Sequence, residues 1–462
     1  MSGRVISIAT VLGLQWLGST AVCQSTSSLN AGQTTDAPDV DCAAWIRELG
    51  SPEFAVREQA AAALFDAGPR VLPALAAAAS STDAEVRDRA ILIRSRIEAR
   101  VFDELTRDFV RDPNPDHDYN LPGWRSFSKI AGTGRTAKRM FISIQRRQRA
   151  IAECIALIEQ SEGKVGDPDS PARVGLPPKS KEEIAEARLN LRRITSECAA
   201  NLRLSAMAQR TAEENGDIAA LLLAAAVEPA MPPEVHDNIR YFLFRGMFAS
   251  MMRQEKEGDC FRALLSQWFK NVPLNISDDI LFFTLQYDVR GGADMARRVL
   301  ALKPEADTAT MALQVLGKYG ERSDLPQVVK WIDSKEIVAE FSLATKPGDA
   351  TGPALEDKLE AQPAPAQRMP AMPNQGPLQI RPNTTPGRHY VCQVGDVALA
   401  AGYMILEMDL ESAFEVIVLS ESRGFERERA AFPADQPELR EAARKLFLAK
   451  LAEVDSAAVP AK

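Results

Sequence analysis

The sequence predicts an all-α protein in which paired helices stack as an irregular α-solenoid. Apolar residues make up 45% of the 462 residues and aromatic residues only 6%, a composition that suits packed helices better than twisted sheets. Two segments near the amino end repeat at an offset of 30 residues, and a fixed period of helix pairs is typical of solenoids. Most of the remaining chain has apolar residues at helical spacing, and no run of alternating residues predicts strands.

Residues 1–23 have the residue order of a secretory signal peptide. One basic residue, Arg4, precedes an uncharged stretch from Val5 to Cys23, and small polar residues follow. This is the charged, apolar and small order of an export signal. We expect cleavage after Cys23, with Ala21 three positions before the cut. The protein is therefore expected to be exported, either periplasmic or extracellular.

Two alternatives for this segment stay open, and both would leave an amino-terminal membrane tether. The uncharged run is about 19 residues long, which is enough to remain as an uncut anchor. Alternatively, Cys23 carries lipid, because Thr20-Ala21-Val22-Cys23 loosely resembles a lipoprotein cleavage box. Residues 24–40 are interpreted as a polar linker.

The repeat lies within residues 41–110. Each copy begins with Ser and a helix-opening residue, which are signals for the first turn of a helix. Each copy then carries Val, Arg, an acid and Ala at the same spacing. The two copies are Val56-Arg57-Glu58-x-Ala60 after Ser51-Pro52, and Val86-Arg87-Asp88-x-Ala90 after Ser81-Thr82-Asp83. Between them, Gly68-Pro69 predicts the end of one helix and Leu72-Pro73-Ala74-Leu75 the start of the next.

At these residues the chain resembles the HEAT-repeat family. In that family the apolar positions form the core between helices, and the Arg and the acid stack along successive repeats as a polar ladder. The resemblance implies structural roles for four residues, Arg57, Glu58, Arg87 and Asp88. Weaker echoes lie at Thr308 to Ile332 and at Val394 to Ala398, where Gly395 replaces the Arg. The chain also resembles exported bacterial HEAT-repeat-containing proteins with no assigned activity.

The rest of the chain divides at Pro and Gly clusters. Pro113-Asn114-Pro115 marks a break, and the apolar spacing between residues 135 and 160 is helical with a slip in the middle. Nine Pro lie between Pro347 and Pro386, which predicts a flexible, disordered insertion. A last helix is predicted at Pro437 to Val454. The predicted segments are a loop at 111–134, irregular helical repeats at 135–342, the Pro-rich insertion at 343–388, and a carboxyl-terminal helical repeat with its cap at 389–462.

Composition and motifs argue against several classes of function. The chain has 55 basic and 63 acidic side chains and a net charge of −8, which argues against nucleic-acid binding through overall charge. No hydrolase elbow, zinc-protease, phosphate-loop or EF-hand motif occurs, so no cofactor is expected. Five Cys after the signal are scattered without any CxxC pair. They are interpreted as small buried residues, and a Cys154–Cys198 disulfide is an alternative.

Three functions are compatible with these patterns. The first is a scaffold without catalytic activity that binds a protein partner of unknown identity, and the oligomeric state is not indicated. The second is a hydrolase-like enzyme whose acids converge from distant helices, with Asp278/Asp279 or the Asp116–Asp118 loop as candidates. The third is an envelope-surface adaptor that binds anionic ligands through a basic run. The run comprises Arg135, Lys138, Arg139, Arg146, Arg147 and Arg149.

Overall fold

The computed structural model describes residues 42–115, 117–162, 180–207, 215–343 and 387–457. These residues are mostly helical and form two compact units that divide after Leu105. The predicted signal peptide, the polar linker and nearly all of the Pro-rich insertion lie outside the described residues. No helix in the described part of the chain is both long and apolar enough to cross a bilayer.

The amino-terminal unit contains the repeated helices. They are α1 (Cys42–Glu48), α2 (Phe54–Ala67), α3 (Leu72–Ala78) and α4 (Ala84–Arg111), the last of which continues past the division. Gly68 ends α2 with a φ of 69°, a left-handed conformation that Gly adopts without strain, so the predicted break is confirmed. One buried core joins these helices through Leu49, Ala60, Leu64, Val71, Leu75, Ala78, Val86, Ala90, Ile93 and Ile97.

The two copies of the repeat have the same local hydrogen bonds. Arg57 Nη1 donates to the Ser51 carbonyl oxygen at 2.8 Å, and 30 residues later Arg87 Nη1 donates to the Ser81 carbonyl oxygen at 3.4 Å. The Ser51 and Ser81 hydroxyls each accept the backbone N–H two residues on, both at 3.2 Å. The repeat in sequence is therefore also a repeat in structure.

Charged side chains link α2 to α4. Glu85 Oε1 lies 3.4 Å from Arg57 Nε and 2.6 Å from Arg89 Nε. Arg89 Nη1 in turn lies 2.7 Å from Glu58 Oε1. We call this set of ion pairs the α2–α4 ladder, and it includes Arg57 and Glu58, two of the four residues to which the resemblance assigns structural roles. The other two are adjacent in sequence, and Arg87 Nε lies 3.5 Å from Asp88 Oδ1.

The carboxyl-terminal unit is built around α9, which is buried from Gly216 to Ala226. This apolar helix is only 13 residues long and is surrounded by other helices. The further helices up to residue 329 are α5 (Trp124–Ala131), α6 (Arg135–Arg147), α7 (Arg149–Glu162), α8 (Lys181–Met207), α10 (Pro233–Leu243), α11 (Gly246–Arg253), α12 (Glu255–Asn271), α13 (Ser277–Tyr287), α14 (Gly292–Ala301), α15 (Ala306–Tyr319) and α16 (Leu325–Val329).

In this region one prediction from the sequence is confirmed and another is wrong. The slip predicted between residues 135 and 160 is a real break at Gln148, where the backbone leaves the helical conformation. By contrast, the segment predicted as a loop at 111–134 contains α5. This short helix forms because its apolar face has a partner, since Phe127 is fully buried and its ring centroid lies 5.3 Å from that of Phe141.

Strands flank the Pro-rich segment, which the all-helical prediction did not include. The strands are β1 (Ile337–Leu343), β2 (Arg388–Gln393), β3 (Leu419–Ser420), β4 (Gly424–Phe425) and β5 (Phe432–Pro433). β2 lies between β1 and β5 in an antiparallel sheet, and β3 pairs with β4. Leu343 and Arg388, the last residue of β1 and the first of β2, face each other in the register.

The end of the chain is partly helical, and its last helix begins at Pro437 as predicted. It contains α17 (Val394–Ile405), α18 (Leu410–Ala413) and α19 (Pro437–Ala457). Gly395, which replaces the Arg of the repeat, lies against the preceding chain. A Cβ at this position would lie 2.6 Å from the Ile332 carbonyl oxygen, so a side chain has no room there.

Candidate functional site

The basic run predicted as a binding site is divided by the structure into structural and exposed residues. Lys138 is only 4% exposed. Its Nζ donates to the Asp112 carbonyl oxygen at 2.8 Å and lies 4.9 Å from the centre of the Phe109 ring. Arg147 holds the buried carboxylate of Asp217, with Nε at 2.8 Å and Nη2 at 2.6 Å from Oδ2. These two cations stabilise the fold.

Three arginines of the run lie on one face of α6. Arg135, Arg139 and Arg146 are exposed, and their positions fall within an arc of about 40° on a helix of 3.6 residues per turn. The rise of the helix spreads them over about 16 Å. Arg149, the sixth residue of the run, starts α7 and its Nε pairs with Glu153 Oε1 at 2.8 Å. We call Arg135, Arg139 and Arg146 the arginine face.

Buried carboxylates in the carboxyl-terminal unit are each held by arginine. Glu228 is 1% exposed, and its two oxygens accept from Arg188 Nη1 and Arg192 Nη2, both at 2.7 Å. Asp324 accepts from Arg297 at 2.6 and 2.9 Å. Burial opposes the charged form of both acids, but the arginine N–H bonds outweigh it and hold the pKa of Glu228 and of Asp324 below its usual value.

The acid pair Asp278/Asp279 lies in the first turn of α13, and each acid has its own structural partner. Asp278 Oδ1 accepts from the Thr308 hydroxyl at 2.7 Å. Asp279 Oδ2 accepts from Arg240 Nη1 at 3.0 Å. The two carboxylates therefore bind different neighbouring elements, and a helix amino terminus favours negative charge in any case.

The loop around His117 is closed by its own side chains. The Asp112 carboxylate accepts from the Asn114 backbone N–H at 2.9 Å and from the Tyr119 hydroxyl at 2.8 Å, and it lies 2.6 Å from His117 Nδ1. The Asn114 and Tyr119 bonds hold the pKa of Asp112 below its usual value. Asp118 accepts from the Asn120 backbone N–H, whereas Asp116 lies outside the described residues. In the described part of the chain, no group of three or more His, Cys, Asp and Glu is arranged to hold a metal ion.

The cysteines of the described chain are free thiols. Cys154 and Cys198 are buried and do not form the disulfide considered from the sequence. Burial raises the pKa of Cys154 to about 11 and that of Cys198 to about 12, which makes both poor nucleophiles. Trp268 is fully buried, and its Nε1 donates to Nδ1 of the buried His236 at 3.0 Å.

Sequence reasoning missed an exposed aromatic surface in the carboxyl-terminal unit. Phe244, which follows α10, is 56% exposed, and Phe282 on α13 is 40% exposed. Their rings stack with centroids 6.2 Å apart. The sequence carries no clear signal for this surface, because adjacent apolar residues of the same helix, such as Ile280 and Leu281, are both fully buried.

Comparisons with known proteins do not place the chain in a family. No protein-family model matches it. No curated protein and no solved structure matches it either. The HEAT-repeat resemblance thus depends on the residues of the repeat itself.

Proposed function

We propose that this chain is an exported, solenoid-like helical scaffold that binds a protein partner and catalyses no reaction itself. The observation that carries the proposal is the repeated unit: two copies of one sequence form helices with the same Ser–Arg hydrogen bond 30 residues apart. Stacked helix pairs present extended surfaces that suit protein ligands. Because a fold does not determine a function, the step from repeat to scaffold needs a binding experiment.

The test is affinity capture from the envelope fraction of the source cell. The full chain is produced with a tag at its carboxyl end, and co-purifying proteins are identified at moderate and at high salt. A stoichiometric protein that persists at high salt is the expected result, since burial of apolar area is not screened by salt. A capture that contains only salt-labile polymer or lipid contradicts the scaffold.

The arginine face favours a second function, an adaptor for anionic surfaces. Among the described residues, Arg135 and Arg139 form no ion pair, so this part of the chain does not neutralise their charge. The test compares the full chain with the Arg135→Gln/Arg139→Gln variant on phosphatidylglycerol vesicles. Arg149→Gln is the control, because Arg149 already pairs with Glu153. Binding that is weakened by salt and by the double variant, but not by the control, supports the adaptor.

The enzyme alternative stays a prediction. Its candidate acids are the Asp278/Asp279 pair and the Asp116–Asp118 loop. Asp278 and Asp279 each accept a hydrogen bond from another element of the fold. The test is a hydrolytic activity measured for the wild type and for Asp278→Asn and Asp279→Asn. Loss of that activity in either variant, at an unchanged melting temperature, would support the enzyme.

A further inference from the structure

The exposed rings of Phe244 and Phe282 lie on a buried aromatic base. Phe283, the neighbour of Phe282 on α13, is fully buried, and its ring centroid lies 4.5 Å from that of Phe244. The base fixes the position of Phe244, so one side of the ring contacts the core and the other side faces water. Two stacked, exposed phenylalanines held in place this way form a rigid apolar contact area that loses little freedom when it is covered.

Two arginines flank the same surface through Tyr241, one turn before Phe244. The guanidinium carbon of Arg203, on α8, lies 5.4 Å from the centre of the Tyr241 ring, and that of Arg245 lies 5.6 Å from it. Arg245 Nη1 also donates to the Tyr241 hydroxyl at 3.0 Å. Stacking on an aromatic ring orients a guanidinium and leaves N–H donors at its edge, here those of Arg203, accessible to a ligand.

The charges around this surface favour a negatively charged ligand. Asp237, four residues before Tyr241, and Asp279, three residues before Phe282, both pair with Arg240, at 3.9 and 3.0 Å. Arg203 is exposed and, among the described residues, forms no ion pair. An external carboxylate would give this guanidinium a partner that the described protein does not supply.

We propose that the surface formed by Phe244, Phe282, Tyr241, Arg203 and Arg245 binds a segment of a partner protein in which an aromatic or large aliphatic side chain lies close to a carboxylate. The apolar side chain covers the stacked phenylalanines and the carboxylate accepts from Arg203. Aromatic residues and arginine are the residue types that dominate binding at protein interfaces. This inference rests on the proposed scaffold function and names the chemistry of the partner.

Charge also distinguishes this occupant from a second copy of the chain. In a two-fold contact the same surface lies on both sides of the interface. Such a contact would bring Arg203 of both copies into one interface, and like charges disfavour it. An acidic segment has the complementary charge.

The experiment selects ligands for the full chain from a random dodecamer peptide library displayed on phage. Enriched peptides are expected to combine Phe, Trp or Leu with Asp or Glu within two or three positions. One enriched peptide is then synthesised, and its affinity is measured for the wild type and for Phe244→Ser and Arg203→Glu. We expect each variant to lose about tenfold or more in affinity. Replacing the acids of the peptide by Lys should have the same effect.

Two control variants match these changes elsewhere on the surface. Leu189→Ser alters a residue that is 66% exposed on the same helix as Arg203, about 21 Å away along α8. Arg322→Glu reverses an exposed arginine that forms no ion pair among the described residues and lies outside the arginine face. Both should bind the peptide within about twofold of the wild type. Because Phe244 contacts the buried Phe283, melting temperatures accompany all measurements, and the exposed Arg203 provides the variant that leaves the core unchanged.

Several outcomes overturn the proposal. The proposal is contradicted if the selection enriches no peptide or if the enriched peptides lack Asp and Glu. It is also contradicted if the chosen peptide binds both variants with the same affinity as the wild type. Self-association of the wild type that is lost in Phe244→Ser would assign the surface to a second copy, and vesicle binding lost in both variants would assign it to a membrane. If envelope capture yields a salt-resistant partner that both variants still bind, the scaffold stands and this docking surface is wrong. If the wild type captures no partner, both proposals fail.

Discussion

The amino-terminal unit has its ion pairs at the surface, whereas the carboxyl-terminal unit has carboxylates inside. In the ladder between α2 and α4, the side chains of Glu58 and Glu85 are 51% and 52% exposed. The side chains of Asp396 and Asp324 are 2% and 5% exposed. Exposed pairs contribute little to stability, but a buried carboxylate without its partner is costly. The same residue types therefore have different consequences in the two units.

The largest effect is expected when a buried pair loses one member. Arg440 donates from Nε and Nη2 to the two oxygens of Asp396, at 2.7 and 3.0 Å. Arg440→Met leaves this carboxylate buried without its cation, so we expect a loss of about 3 kcal/mol in the free energy of unfolding. Urea unfolding followed by circular dichroism measures it. The Asp396→Asn/Arg440→Met double variant should recover part of the loss, and a single-variant cost as small as that of an exposed pair would contradict the comparison.

A smaller loss of stability is expected at Gly395, where the weak repeat near the carboxyl end has Gly instead of Arg. Gly395→Ala places a methyl group against the Ile332 carbonyl oxygen, and such overpacking costs about 2 kcal/mol. Gly246→Ala is the matched control, because an added Cβ there meets no atom within 4 Å. A shift in melting temperature for the first variant and none for the second is expected. Equal stability of the two variants would contradict the prediction and would show that the backbone around Gly395 moves to accommodate a methyl group.

The buried carboxylate of Asp324 also predicts a pH dependence. The pKa of Asp324 is lower in the folded chain than the unfolded value of about 3.9. Its contribution is therefore fully present above that unfolded value and is lost as the pH falls through the lowered folded pKa. We expect Asp324→Asn to cost about 1.5 kcal/mol at pH 7, and this difference from the wild type should shrink below about pH 4.

Melting temperatures measured from pH 7 to pH 3 follow this effect. Asp333→Asn provides the comparison, because Asp333 pairs with Arg444 but is 68% exposed. The cost of that variant should be small throughout. A difference for Asp324→Asn that grows as the pH falls would have the wrong sign for a carboxylate stabilised in its charged form.

The smallest effect is expected in the exposed ladder. Arg89→Ala removes the cation between Glu58 and Glu85, whose side chains are about half exposed. We expect a loss below about 1 kcal/mol that decreases further in 1 M salt, because solvent and ions screen such pairs. Denaturation at low and at high salt measures it. A loss as large as that of Arg440→Met would remove the distinction between the two units.

The sequence predicted helices well where local signals were strong. Gly68 ends α2, the slip in the apolar spacing marks Gln148, and the final helix begins at Pro437 as predicted. The sheet was missed because its pairing is not local: Leu343 faces Arg388 across the whole Pro-rich segment. In addition, β2 has the sequence Arg-His-Tyr-Val-Cys-Gln, in which apolar and polar residues do not alternate.

The candidate site was harder to predict because charge patterns do not reveal distant partners. Lys138 looks like its neighbours in sequence, yet it bonds to a carbonyl oxygen 26 residues away. Arg147 binds an aspartate 70 residues away. The chain brings these partners close only when it folds, so the sequence does not show that Lys138 and Arg147 have structural roles. For the exposed arginines of the run, the prediction of a surface position is correct. The Phe244 surface escaped notice because its parts come from α8, α10 and α13.

The pairing of β1 with β2 has a consequence for how this chain can evolve. Because Leu343 and Arg388 face each other in the sheet, the ends of the segment between them are fixed by strand pairing and not by the segment itself. Doubling the length of a loop between two paired strands adds only about 0.6 kcal/mol to the cost of closing it. Insertions and deletions between codons 344 and 387 should therefore be tolerated far more readily than elsewhere, and this stretch is the natural place to expect length differences among descendants of the gene.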